Sequence, residues 1–130
     1  MKVLIVEDDV TSNALITNIV SPEAQCIQAY NGVEAFKCYS DSLQAGDPFD
    51  LMFLDLMMPQ MGGKELLSKI REFEQQNEVT PDRALKVVVL TAVGDEETEF
   101  ELNFLGCIEY LVKPITVKKV KDSLKLAFQT

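Results

Sequence analysis

Four short groups of polar residues each follow directly on an apolar run: Glu7-Asp8-Asp9, Asp55, Thr91-Ala92 and Lys113-Pro114. Carboxylates from two such groups, brought side by side, repel. At ~4 Å and an effective dielectric of 20 the cost is about 4 kcal/mol. A cation relieves it, and hard oxygen donors with room for water suit Mg²⁺. Mg²⁺ is also the usual escort of a phosphoryl group. Lys113 adds a positive point charge and Thr91 a hydroxyl, and the two could hold phosphoryl oxygens while Asp55 attacks as a carboxylate nucleophile.

Taken one at a time these residues have bland readings. An acid after a strand is often the N-cap of the next helix, and that is the favoured reading for Asp9. Thr91 alone is a turn residue, and a lysine before proline carries little information. Their joint placement after the first, third, fourth and fifth apolar runs is what points to a site.

The elements that must position them are legible in the hydropathy. Apolar runs at 2–6, 26–30, 50–54, 85–90 and 107–112 are nearly continuous in Val, Ile, Leu, Phe and Met. That is the pattern of strands covered on both faces, as in a parallel sheet. Between them lie stretches of helical spacing: Leu15, Ile16, Ile19 and Val20; Leu66, Leu67, Ile70 and Phe73; Val117, Val120, Leu124, Ala127 and Phe128. Turn signals sit at the joins, among them Ser21-Pro22, Asn31-Gly32, Gly46-Asp47-Pro48, Pro59 to Gly63 and Thr80-Pro81-Asp82. Alternating strands and helices imply right-handed crossovers and an open, doubly wound α/β sheet. In such a sheet the crevice lies beyond the carboxyl ends of the strands, where all four polar groups fall.

Composition narrows the function. The chain of 130 residues fits one domain, and 47% of it is apolar, enough for a core without staples. No apolar run is long enough to span a bilayer, and the opening residues do not form a secretory signal, so a cytoplasmic protein with no membrane insertion is expected. There is no histidine, which excludes acid–base work or metal ligation by that residue. Cys26, Cys38 and Cys107 show no metal spacing and read as small buried thiols. The formal charge of −9 argues against direct nucleic-acid binding, which needs a basic face. Asp95, Glu96, Glu97, Glu99 and Glu101 cluster in one segment, and Lys118, Lys119, Lys121 and Lys125 in the last.

The motifs together resemble the receiver domain of two-component response regulators, in the single-domain form of the chemotaxis regulators. The matching pieces are Glu7-Asp8-Asp9 after the first strand, Asp55-Leu56-Met57-Met58-Pro59 with Gly62-Gly63, Val89-Leu90-Thr91-Ala92, and Tyr110-Leu111-Val112-Lys113-Pro114. The resemblance covers residues 1–130 and implies a flavodoxin-like (βα)5 sandwich with strand order 2-1-3-4-5. It implies that Asp55 is the phosphoacceptor, supplied by a histidine kinase, a phosphotransfer protein or a small donor. Mg²⁺ is then held by Glu7, Asp8, Asp55 and the backbone carbonyl of Met57. Thr91, Ala92 and Lys113 bind the phosphoryl group, Thr91 and Tyr110 form a switch, and the Lys113–Pro114 bond is cis. A downstream protein is expected on the face made by helix four, strand five and helix five, with a monomer that can dimerise when phosphorylated. Such a domain is not an enzyme, although it assists its own phosphorylation and dephosphorylation. The alternative is a receiver fragment of a longer DNA-binding regulator or hybrid histidine kinase.

Three departures stand out. The polar stretch 74–86 is longer than most receivers carry and reads as a solvated surface insertion. Met57 and Val93, each two residues beyond a site residue, are apolar and cannot orient a hydrolytic water, which predicts slow dephosphorylation. The acidic fourth helix carries Phe100 and Phe104. Phe104 is expected in the core, and exposure of Phe100 or Leu126 would favour a docking surface over a merely solvated one. Rival readings fail on chemistry. A dehalogenase-type phosphatase needs an acid at Met57, and a flavodoxin needs a hydroxyl- and glycine-rich loop where three carboxylates stand. A pseudo-receiver is disfavoured because every site position is filled.

Overall fold

The computed structural model describes residues 1–92, 101–103 and 105–128. Its sheet is formed by β1 (Lys2–Val6), β2 (Gln25–Ala29), β3 (Leu51–Asp55), β4 (Lys86–Thr91) and β5 (Glu109–Val112). All pairs are parallel and the order is β2-β1-β3-β4-β5, as the sequence leads one to expect. Four helices are described: α1 (Val10–Val20), α2 (Gly32–Gln44), α3 (Gly63–Gln76) and the C-terminal α4 (Val117–Phe128). Residues 101–103 are also helical; the rest of the expected acidic helix, with Phe100, Phe104 and Val93, lies outside the described residues.

Side chains alternate across a strand, so each central strand serves two cores. Leu4, Val6, Met52, Leu54, Val87 and Val89 pack with Leu66, Leu67 and Ile70 of α3 and Tyr39 of α2. Val3, Ile5, Leu51, Phe53, Val88 and Leu90 pack with Ile16 and Val20 of α1 and Val120 and Leu124 of α4. Burial on both faces explains why β1, β3 and β4 read as unbroken apolar runs. The edge strands β2 and β5 are half-buried, and β5 begins at Glu109 rather than at Cys107. Its first ladder contact is the bond from the Ile108 amide to the Val87 carbonyl (2.9 Å).

Four expectations need correction. Leu15 is 43% exposed, because α1 turns Asn13, Ile16 and Val20 to the sheet instead. Val117, assigned to the core face of the last helix, is exposed at its first turn. The stretch 74–86 is not solvated throughout: Glu74 and Leu85, at or beside its two ends, are buried against each other. The three cysteines are half-buried rather than enclosed, with burial holding each thiol above its ordinary pKa.

Candidate functional site

The register places Val6 beside Leu54 and Asp55 beside Leu90, so residues 7–8, Asp55 and Thr91 share one edge of the sheet. Asp55 is the last residue of β3 and 2% exposed; Glu7, just past β1, is 1% exposed. Asp8 is exposed. Carboxylate oxygens of Glu7, Asp8 and Asp55 lie within 4.8 Å of one another. The loop after Asp55 folds straight back over the site. A Cβ on Gly63 would stand 2.8 Å from the Asp55 carbonyl oxygen and 2.8 Å from Leu56 Cα, so no larger residue fits without moving backbone.

Among the described residues, two nitrogen groups reach Asp55 Oδ1. The Met57 amide donates to Oδ1 (3.2 Å), and Lys113 Nζ stands 3.4 Å from the same atom. Lys113 also reaches Glu7 Oε1 at 3.3 Å, which makes one ammonium the partner of two buried acids. That is too little positive charge. Burial above all, then the hydrogen bond and charge of Asp55, push the Glu7 carboxyl up to about 8 against the pull of Lys113. Burial also works against the charge on Lys113, but Asp55 and Glu7 outweigh it and its pKa rises.

Among the described residues, Glu7 Oε2 is buried without a hydrogen-bond partner. An orphaned carboxylate oxygen is costly, and it sits in a cluster whose donors are all hard oxygens with Asp8 open to water. These residues fit a hydrated divalent cation of the Mg²⁺ kind.

Thr91 ends β4 and is half-buried, with Ala92 exposed beside it. The Lys113–Pro114 bond is cis. Tyr110, on β5, packs its ring against the core and donates its hydroxyl to Asn103 Oδ1 (2.7 Å). Asp9 caps α1, accepting from the Thr11 amide (3.2 Å) and the Ser12 hydroxyl (2.8 Å). Met57, although adjacent to the site, is 75% exposed.

Sequence reasoning missed Asn13. It is fully buried, and its amide nitrogen donates to the carbonyls of Glu7 (3.1 Å) and Ala29 (3.1 Å), pinning the end of β1 to that of β2. Its own oxygen accepts from Gln28 (2.8 Å). The signal was a polar residue three and seven positions before Ile16 and Val20, in phase with the apolar face.

A crevice of this kind at the carboxyl edge of a 2-1-3-4-5 sheet is that of a phosphoacceptor module. The chain belongs to the response regulator receiver domain family, whose model matches residues 3–125. It is 32% identical over 128 residues to the chemotaxis protein CheY of Treponema pallidum (strain Nichols), covering 95% of this chain and 79% of that protein. Among solved structures it resembles a chain of the CheX–CheY–BeF3–Mg complex from Borrelia burgdorferi (29% identity, TM-score 0.83, covering 100% of this chain and 90% of that one). It also resembles the receiver domain of Ssk1, solved with the histidine phosphotransfer protein Ypd1 of Saccharomyces cerevisiae (28% identity, TM-score 0.81, 96% and 86%). Receiver domains are the phosphoacceptor switches of two-component signalling and bind Mg²⁺ at an acidic pocket. Among the described residues no helix is long and apolar enough to cross a membrane.

Proposed function

We propose that Asp55 is the phosphoacceptor of a cytoplasmic two-component relay, with Mg²⁺ as its cofactor. One observation carries the reading: a nearly inaccessible carboxylate is held by Lys113 at 3.4 Å within a cluster of three acids. An Asp55 oxygen attacks phosphorus as the bond to the donor's imidazole nitrogen or other leaving group breaks. Glu7, Asp8, Asp55 and the Met57 carbonyl would hold the cation. When bound, it neutralises the oxygens of the group in transfer. Lys113 compensates charge on the same oxygens, and Thr91 donates its hydroxyl to one of them beside Ala92. With Thr91 drawn inward, Tyr110 leaves Asn103 and remodels the surface around β5 and α4.

The phosphoryl donor is a histidine kinase or a phosphotransfer protein, a reading supported by the likeness to a receiver solved with such a partner. The output face includes the exposed Val112, whose carbonyl accepts from Lys119, and the exposed Leu126, so apolar contact and positive charge are available to a downstream protein. Met57 and Val93 offer no hydrogen bond to a hydrolytic water, and the aspartyl phosphate is long-lived.

The test is to add Mg²⁺ and beryllofluoride and record amide spectra. A response that vanishes in Asp55→Asn and persists in Asp9→Ala supports the assignment; a silent parent protein overturns it.

A further inference from the structure

A second polar cluster lies well away from the acid pocket. Glu74, on the last turn of α3, is 4% exposed, and a buried carboxylate survives only with partners. It has three. The Tyr39 hydroxyl (2.8 Å) and the Leu85 amide (2.7 Å) donate to Oε2, and Arg71 Nη1 (2.8 Å) donates to Oε1. A carboxylate satisfied in this way is a fixed platform, tied at once to α2, α3 and the entry to β4.

From that platform Arg71 reaches across to the turn before β5. Its Nε donates to the Leu105 carbonyl (2.7 Å) and its Nη2 to the Gly106 carbonyl (3.3 Å). Gly106 has φ of +81°, a conformation that suits glycine, and a Cβ there would lie 3.5 Å from Arg71 Nη2. The first turn of α3 grips the same segment through the ion pair of Lys64 with Glu101. Between the two grips sits Asn103, the acceptor of the Tyr110 hydroxyl.

We propose that Arg71 is a positioning residue for the switch. By latching the Leu105–Gly106 turn to α3 it holds that turn, and the Tyr110 side chain that follows it, in the resting arrangement against which phosphorylation must work. The inference rests on the reading of Asp55 and Tyr110 given above. A guanidinium is suited to the task because its rigid fork serves one carboxylate and two carbonyls together, which a lysine cannot do. A contact made in only one of two states biases the equilibrium between them by its differential strength.

The experiment is a beryllofluoride titration in saturating Mg²⁺, read by amide spectra, on the parent protein, Arg71→Gln and Arg71→Lys. Hydrogen exchange at the Gly106 and Cys107 amides is measured in parallel without beryllofluoride. Loss of the latch should lower the half-saturating concentration by roughly 5-fold, the lower range of allosteric couplings, and speed exchange at both amides. Arg71→Lys, which keeps the charge beside Glu74, should fall between. Unchanged or weaker binding in Arg71→Gln, with only thermal stability reduced, overturns the latch and leaves the reading of Asp55 intact. No response in the parent protein overturns both.

Discussion

Lys113 Nζ stands 3.4 Å from Asp55 Oδ1 and 3.3 Å from Glu7 Oε1, so a single ammonium bridges two carboxylates that are both almost wholly buried. The deficit of positive charge has consequences that can be measured without knowing any partner.

The first is a pH dependence of stability. Glu7 has its carboxyl raised from 4.5 to about 8 in the folded chain. A raised pKa means the folded state keeps a proton that the unfolded chain gives up. The stabilisation is therefore complete below pH 4.5 and is lost as pH rises towards 8. Urea unfolding in EDTA at pH 5, 6.5 and 8 should show stability falling across that window, by at most about 1.4 kcal/mol per pH unit. Glu7→Gln should remove this slope, and saturating Mg²⁺ should flatten it. A parent protein whose slope equals that of Glu7→Gln would sink the idea.

Asp55→Asn should separate stability from function. It replaces one of the two buried acids by a neutral amide, leaving Lys113 to Glu7 alone. Metal-free stability should rise by about 1–2 kcal/mol, the usual scale for relieving a functional site, while phosphoryl uptake disappears. Thermal unfolding in EDTA beside labelling from acetyl phosphate reads both quantities. A destabilised Asp55→Asn would mean that repulsion in the cluster is not what limits stability.

The lifetime of the aspartyl phosphate offers a third check. Met57 is exposed and apolar beside Asp55, so the parent should lose label slowly if Asp55 carries it. Met57→Asn places a hydrogen-bonding group near the path of the water and should speed decay by several-fold, about 1 kcal/mol of barrier. Loss of label within seconds from the unmutated chain contradicts the proposal.

Glu74 makes a prediction about stability alone. Glu74→Ala strands the Tyr39 hydroxyl, the Leu85 amide and one arm of Arg71 in a buried place. A cost of roughly 3–5 kcal/mol is expected, as for breaking one side of a buried ionic network. Tyr39→Phe deletes one donor and keeps the ring in contact with Phe73, so about 1 kcal/mol should suffice. Denaturant midpoints for the two variants decide it, and equal small losses would show that the cluster is not a platform.

The fold was readable because strands covered on both faces must be apolar at every position, and β1, β3 and β4 write that rule in unbroken runs. Edges were harder. Cys107 and Ile108 look like strand residues, yet pairing to one neighbour only lets β5 proper begin at Glu109. Helix faces were harder still. Leu15 and Asn13 exchange the roles their hydropathy suggests, because Asn13 finds carbonyls to satisfy at the strand ends whereas Leu15 lies on the exposed side of α1. Glu74 looked solvated for the same reason: a polar side chain reads alike whether it faces water or three buried donors.

By itself the sequence determined the residue types at the strand ends, and with them the chemistry on offer: carboxylates, an amine and a hydroxyl at the mouth of a parallel sheet. Those properties belong to each residue wherever it sits. The sequence already favours Asp9 as a cap; only the tertiary structure separates Glu7 from Asp8. Glu7 is buried with an orphaned oxygen, Asp8 is open to water, and Asp9 caps α1. It also decided that Lys113 is shared, that Tyr110 rests on Asn103, and that Arg71 ties α3 to the turn before β5. Burial and pairing are collective properties, set by what distant segments bring alongside, and no window of sequence contains them.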